Sequence, residues 1–419
     1  MSQESTKTKR ARELTRRDFV KGGGVAVAAT AASALGFPAV LRAQAAEIKV
    51  GHIHPLTGGL ALDGNQLRKG LLQAVDEING AGGIHSMGGA KLKLLDGDSE
   101  GKPETAIAEM QRFNNEGCIA VLGAYQSAVT LVATQEAEKF KLPFVVTVAV
   151  ADEVTQRGFK YVFRCQPSAE QMATQGLEHL AQIAKAKGVT VKTLAYMHDN
   201  TAFGQPLFAH VQKLAPKYGM EVVADVPYSP RAPDVNTEVN KIKLAQADVV
   251  LDTGYLGDGI RVLRTMRDLR VQAKAIMGIA NGAFSHPKFV VDLGPLAEHV
   301  MDGNYRADPN SPVTKAAFTG FRKRYNEDMD PSTVYAYQPM YVLKDALERA
   351  GKADRDAVRD ALAKTHLTHH MLPQGPIVFD AGGQNINARA VVTQVQSGHI
   401  KVVWPTAYAE GQVVFPVPA

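Results

Sequence analysis

From Glu47 onward, short runs of β-branched and other apolar residues alternate with stretches whose apolar positions recur three or four residues apart. The runs predict strands and the stretches predict helices with one buried face. Residues 48–53 predict a strand and 65–79 a helix, with Leu67, Leu71, Leu72, Val75 and Ile78 along one side. Residues 91–96 predict the next strand, and 103–115 the next helix, opening on a proline whose fixed φ suits a first turn. A strand at 120–123, a helix at 127–140 and a strand at 144–147 complete a first wound set. The pattern then restarts with a helix at 169–187, a strand at 193–197, a helix at 204–218 and a strand at 221–226. It continues through 235–244 (helix), 249–251 (strand), 257–269 (helix) and 275–277 (strand). Such alternation marks βαβ units on a parallel sheet. Two successive sets imply an α/β protein of two doubly wound, Rossmann-like lobes facing across a central cleft, where open α/β sheets hold ligands.

Past residue 302 the rhythm changes. Residues 312–325, 336–351 and 354–364 read as helices, with no strong strand between the first two. Helices without strands of their own need a sheet already built, and the first lobe is the expected place. Residues 388–395 and 399–404, turning at Ser397-Gly398, predict a closing hairpin. The expected division is 47–165 plus 303–386 for lobe I and 166–302 plus 387–419 for lobe II, so the chain crosses between lobes three times. A three-stranded hinge bends without letting the lobes wander.

Residues 1–45 read as a signal peptide rather than as part of the fold. Arg10, Arg12, Arg16, Arg17 and Lys21 precede an Ala/Gly-rich apolar stretch at 22–40, and Ala43-Gln44-Ala45 supplies a small-x-small cleavage pattern. Thr15-Arg16-Arg17-Asp18-Phe19-Val20-Lys21 resembles the twin-arginine export signal, which carries folded proteins across the bacterial membrane, so the expected location is the periplasm. An ordinary secretory signal and a retained anchor are the alternatives, the latter opposed by the weakly apolar Gly, Ala, Thr and Ser content of the stretch. Removing the signal also changes the charge. Of 47 Lys+Arg and 42 Asp+Glu, residues 1–45 hold 8 and 3, leaving 39 of each. The mature chain is expected to be neutral, without a basic surface for nucleic acid and without a run long enough to span a membrane. Its roughly 374 residues exceed what one core usually supports, in keeping with two lobes.

Signals of catalysis are weak. Asp252-Thr253-Gly254 copies the aspartic-protease triplet, yet that chemistry needs two carboxylates and the triplet occurs once. It reads better as a strand-to-loop turn at the cleft. His366, His369 and His370 form an H-x-x-H-H cluster with no neighbouring acid or cysteine, which favours a polar loop over a metal site. No P-loop, G-x-S-x-G or G-x-G-x-x-G before a helix follows the signal. No catalytic residue, metal or cofactor is therefore expected. Cys118 and Cys165 lie in apolar strand-like runs and are expected as buried free thiols, although an oxidising compartment permits a bridge.

The order of short motifs carries a resemblance. Val50-Gly51, Pro55-Leu56-Thr57-Gly58 with Ala61 and Gly64, Glu77-Ile78-Asn79 and Gly82-Gly83-Ile84 open the series. Leu122-Gly123 with Ser127, Leu142-Pro143 before Thr147, and His198-Asp199 with Phe203-Gly204 continue it, and Gly375-Pro376, Phe379-Asp380 and Gly383 close it. Collinear over the whole chain after the signal, they resemble the type I periplasmic solute-binding proteins of the branched-chain amino-acid (leucine-binding protein) family of ABC transporters. The resemblance implies a monomeric, extracytoplasmic binding protein that captures a small carboxylate-bearing solute by lobe closure and delivers it to membrane permease subunits. It places the ligand's carboxylate at the turn Gly123-Ala124-Tyr125-Gln126-Ser127, where helix N-terminal amides and the Ser127 hydroxyl favour an anion. Ser127 is equally placed to cap that helix. The next turn, Ala149-Val150-Ala151, offers backbone groups, while Phe203 and Tyr255 present aromatic walls from the second lobe.

Departures from the family pattern bear on the ligand. Members that bind α-amino acids clasp the ammonium with a Thr or Ser in the second turn and an acid in the far lobe; here Ala151 and Ala280 stand in those places. A buried ammonium without a counter-charge costs several kcal/mol. Asp63, where relatives carry Tyr, is either a relocated acceptor or a solvated loop acid. Tyr125, Phe203 and Tyr255 suit an aromatic or aliphatic carboxylate as well as a branched-chain or other amino acid. A ligand-sensing receptor and a periplasmic enzyme are the alternative functions; neighbouring permease or kinase genes, or a cofactor motif, would separate them.

Overall fold

The computed structural model describes residues 47–418; the signal peptide of the sequence reading lies outside them. Strands β1 (Glu47–His54), β2 (Lys91–Asp98), β3 (Ala120–Gly123), β4 (Phe144–Val146) and β5 (Val162–Arg164) form one sheet, in the order β2-β1-β3-β4-β5 and wholly parallel. Every residue of β3, β4 and β5 is buried. A parallel sheet covered on both faces demands such apolar runs rather than alternation. Between the strands lie α1 (Ala61–Gly80), α2 (Pro103–Asn115), α3 (Ser127–Lys139) and the short α4 (Glu153–Gln156).

The second set begins with α5 (Ala169–Ala186), whose entry is fixed by a capping box between Ser168 and Gln171. There follow β6 (Thr193–Asp199), α6 (Gly204–Leu214), β7 (Glu221–Tyr228), α7 (Asn236–Ala245), β8 (Val249–Thr253), α8 (Leu256–Asp268), β9 (Ala275–Ile279), α9 (Pro287–Leu293) and β10 (Met301–Asn304). Helices α10 (Pro312–Tyr325), α11 (Pro331–Ala350) and α12 (Arg355–Ala363) come next, then a two-stranded pair, β11 (His366–Leu367) and β12 (Ile377–Val378), and the hairpin β13 (Val391–Gln396) and β14 (His399–Trp404). The second sheet runs β14-β13-β10-β9-β8-β6-β7. Its β6 to β10 members pair in parallel, and β13 and β14 add antiparallel at one edge.

Helix α11 lies along α1 and reaches β3 and β4, so these late helices cover the first sheet. Asp330 caps α11 by accepting from the Thr333 amide at 2.6 Å, and Gly70 of α1 lets the two helices meet, since a Cβ there would lie 2.6 Å from the Thr333 carbonyl. The chain leaves the first sheet after β5, returns after β10 and rejoins the second sheet at β13. Two of these passages run side by side. The fully buried Arg164 donates to Gln384 Oε1 and to the Ala151 carbonyl, both at 2.6 Å, Asn385 donates to the Cys165 carbonyl at 2.8 Å, and Gln175 binds Ala388 and Ala390.

Several elements depart from the sequence reading. Helix α1 starts at Ala61, so Asp63 is a first-turn residue, 2 % exposed, and not a solvated loop acid. Helix α11 begins at Pro331, because Asp330 supplies the cap. Helix α6 stops at Leu214 and tightens into a 3-10 turn over Ala215–Tyr218. Strand β10 has no apolar run to announce it: Asp302 and Asn304 are buried and satisfied by Ser285, Asn281 and each other. Asp252 and Thr253 end β8 rather than forming a turn; Asp252 is fully buried beside Asn281 and Thr253 donates to the Ile279 carbonyl. His366 lies in β11, and His370 is buried against the Gly375 carbonyl at 3.0 Å. Cys118 and Cys165 are both buried and free. Among the described residues no helix is long and apolar enough to cross a membrane.

Candidate functional site

The loops that follow β3 and β4 of the first sheet and β6, β8, β9 and β10 of the second converge on one shared gap. Beyond β3 the chain turns through Ala124, Tyr125 and Gln126 into α3. Gln126 occupies the N-cap without a side-chain bond, so the first-turn amides of α3 are left uncapped. Ser127 is the first helical residue rather than the cap. It is 1 % exposed, and its Oγ accepts the Ala151 amide at 3.4 Å, tying the β3 loop to the β4 loop. An uncapped helix start beside a buried hydroxyl suits an anion.

Ten residues enclose a small cavity at this point: Tyr125, Ser127, Val148, Ala149 and Val150 from the first-sheet side, and Phe203, Tyr255, Ala280, Gly282 and Tyr305 from the second. Its free volume is about 20 Å³, room for one water. Two rings meet across it, Tyr125 and Tyr255 with centroids 5.8 Å apart, and Phe203 packs beside Tyr255 at 5.1 Å. Gly282 allows this approach, because a Cβ there would lie 3.3 Å from the Tyr125 hydroxyl. Ala280 holds a left-handed φ of 55°, a conformation unfavourable for a residue with a Cβ and often found at ligand sites. No lining residue carries a formal charge at neutral pH, since burial holds the tyrosine hydroxyls of Tyr125 and Tyr255 well above their ordinary pKa.

The structure thus brings together six of the eight residues named from sequence: Ser127, Tyr125, Ala149, Tyr255, Phe203 and Ala280. Ala151 stands just behind the wall, its amide given to Ser127 and its carbonyl to Arg164. Asp63 lies behind Tyr125, with Oδ1 unpartnered. Burial lifts its carboxyl to about 6, opposed by His286 and assisted by Asp330. Val150 belongs to the turn read as offering backbone groups; Val148, Gly282 and Tyr305 were not named, and Tyr305 escaped because the polar strand before it gave no signal.

Polar contacts also link the two sides. His210 Nε2 of α6 lies 2.6 Å from Asp152 Oδ2, and His286 Nε2, just before α9, lies 3.3 Å from Asp330 Oδ2. Outside Tyr255 the cleft widens to a mouth of about 470 Å³, walled by 59–60, 100–103 and 126–129 on one side and by 200–201, 229–231 and 255–261 on the other. In this wall Asp258 accepts from the Tyr228 hydroxyl at 2.9 Å and the Tyr255 amide at 3.1 Å, and burial lifts its carboxyl to about 7. A larger depression, about 660 Å³, flanks α5 near Arg389 and Tyr408, away from the strand ends that face the gap.

Comparison with known proteins gives a consistent picture. The family model described as periplasmic binding protein matches residues 47–399, and the twin-arginine translocation signal model matches 13–33. Leu/Ile/Val-binding protein homolog 7 of Brucella abortus is 29 % identical over 387 residues, 88 % of this chain and 94 % of that one. The branched-chain amino acid transporter substrate binding protein LivJ of Streptococcus pneumoniae, in complex with isoleucine, superposes with a TM-score of 0.74 at 21 % identity, over 88 % of this chain and all of that one. A solute binding protein of an ABC transporter from Rhodopseudomonas palustris, in complex with 3,4-dihydroxy benzoic acid, gives 0.72 at 20 % identity, over 84 % and 95 %.

Proposed function

The chain belongs to the periplasmic binding proteins and carries a twin-arginine signal, and from that premise we propose that it captures a small carboxylate for an ABC importer. The uncapped start of α3 beside buried Ser127 is the observation that carries this reading, because it binds an anion without a lysine or arginine in the cavity. The rings of Tyr125, Phe203, Tyr255 and Tyr305 then pack the rest of the ligand. With no charged group in the lining, the favoured ligand lacks an ammonium and is an aromatic or aliphatic acid. A relative that binds isoleucine and one that binds a dihydroxybenzoic acid bracket this choice.

A free volume of about 20 Å³ admits neither kind of molecule, so entry requires the two sides to part and capture is their return. Residues 47–165 with 303–386 and 166–302 with 387–419 are the moving bodies, and the parallel passages near Arg164 and Gln384 are the hinge. Ligand contacts from both sides stabilise the closed form, which the permease subunits recognise. The protein acts as a monomer and without catalysis, in keeping with its family of binding proteins.

A second reading has one observation behind it. The unpartnered Oδ1 of Asp63, behind Tyr125, offers a carboxylate to the ammonium of an amino acid if the tyrosine swings aside. A thermal-shift screen of the mature protein against amino acids, aromatic acids and short fatty acids, followed by calorimetry, separates the two. The expected hits are acids without an ammonium, with Ser127→Ala weakening them about tenfold through loss of a hydrogen bond to a charged group. Binding of amino acids alone transfers the assignment to Asp63. Undiminished affinity in Ser127→Ala removes the hydroxyl from the site.

A further inference from the structure

The mouth of the cleft has unevenly settled charges. Its two acids are engaged: Glu100 pairs with Lys102 at 2.7 Å, and Asp258 holds the Tyr228 hydroxyl and the Tyr255 amide. Its two arginines have no acidic partner among the described residues. Arg261 is half-buried, donates from Nη2 to the Pro230 carbonyl at 3.1 Å, and leaves Nε buried without a partner. Arg231 is exposed, and its side chain has no ion pair among the described residues. The uncapped start of α3 borders the same space through Gln126 and adds to the positive field. Two guanidinium groups thus share one mouth without an acidic partner, and a nitrogen of Arg261 is desolvated without a hydrogen bond, which is unfavourable. An anion in the mouth supplies the counter-charge that both guanidinium groups lack.

We propose that this mouth is an anion subsite, in which Arg231 and Arg261 receive a second acidic group of the ligand whose first carboxylate sits at Ser127. The inference rests on the carboxylate reading of the inner cavity and extends it to a ligand class, the elongated dicarboxylates. Tyr255 lines both compartments, so a single molecule lying beside its ring reaches from one to the other. Arginine suits the task because its planar fork matches a carboxylate and stays charged when half-buried.

Matched pairs decide the matter: benzoate against terephthalate and hexanoate against adipate, titrated by calorimetry into the mature protein and into Arg231→Gln, Arg261→Gln and the double variant. The readout is the affinity ratio within a pair. In the wild type the dicarboxylate is expected to bind on the order of tenfold more tightly, and in the double variant the advantage falls to about twofold or less. The exposed Arg231→Gln variant keeps the test valid should Arg261→Gln fold poorly. Equal affinities in the wild type, or an advantage that survives the double variant, overturn the subsite while leaving the inner carboxylate site intact. A rise in monocarboxylate affinity on adding sulfate at fixed ionic strength, with no dicarboxylate advantage, assigns the mouth to a free anion and also overturns it. Failure of every acid to bind removes the inner site and the subsite together.

Discussion

Ser127 illustrates how little of a residue's task its type reveals. A serine at the start of a helix reads first as a cap, yet here Gln126 holds that position and the Ser127 hydroxyl turns to the Ala151 amide. Asp63 shows the same limit with more energy at stake. Sequence left it between a solvated acid and a buried acceptor; α1 starts early enough to bury it beside Asp330 and His286. Because the folded protein holds this proton up to about pH 6 while the unfolded chain releases it near 4, Asp63 favours folding below pH 4. That contribution is lost as the pH rises through 6, where the ionised, desolvated carboxylate costs on the order of 3 kcal/mol. Asp63→Asn is therefore expected to melt a few degrees above the wild type at pH 8 and level with it near pH 4, in the ligand-free protein. A difference of the same size at both pH values rules out the charge as its cause.

At the level of elements, the close approaches are set by absent side chains. Gly64, the fourth residue of α1, is a sharp case: a Cβ there would fall 1.9 Å from the Pro55 carbonyl. Backbone cannot yield as a flexible side chain does, so Gly64→Ala is expected to cost at least about 3 kcal/mol, read as a lower urea midpoint with an unchanged slope. Near-wild-type stability would show that the β1–α1 loop shifts freely. The helices and the apolar strands were legible because burial on both faces of a parallel sheet, or on one face of a helix, imposes a period on the sequence. Strand β10 was not, since Met-Asp-Gly-Asn buries its polar groups through Ser285 and Asn281, partners distant in sequence. Tyr305, which follows it into the cavity wall, was hidden for the same reason.

For the whole molecule, the expected motion is a hinge closing on ligand. The contacts that join the two sides, Tyr125 with Tyr255, His210 with Asp152 and His286 with Asp330, are those that the proposed opening has to break. X-ray scattering should record a smaller radius of gyration when a saturating ligand is added to the mature protein. The His210→Gln variant should stay open more often, losing up to about 1 kcal/mol of ligand affinity. A radius that does not change between empty and saturated protein eliminates closure as the capture step.

Periodicity, the arginine-bearing leader and the run of collinear motifs sufficed to specify an exported α/β binding protein, because local burial patterns and export signals are written in contiguous residues. The cavity's chemistry was decided elsewhere. Whether Asp63 is wet or dry and which rings of the second sheet's loops face Ser127 depend on segments distant in sequence meeting at the ends of two sheets. Desolvation and facing charge are properties of that meeting, and no single stretch of the chain contains them.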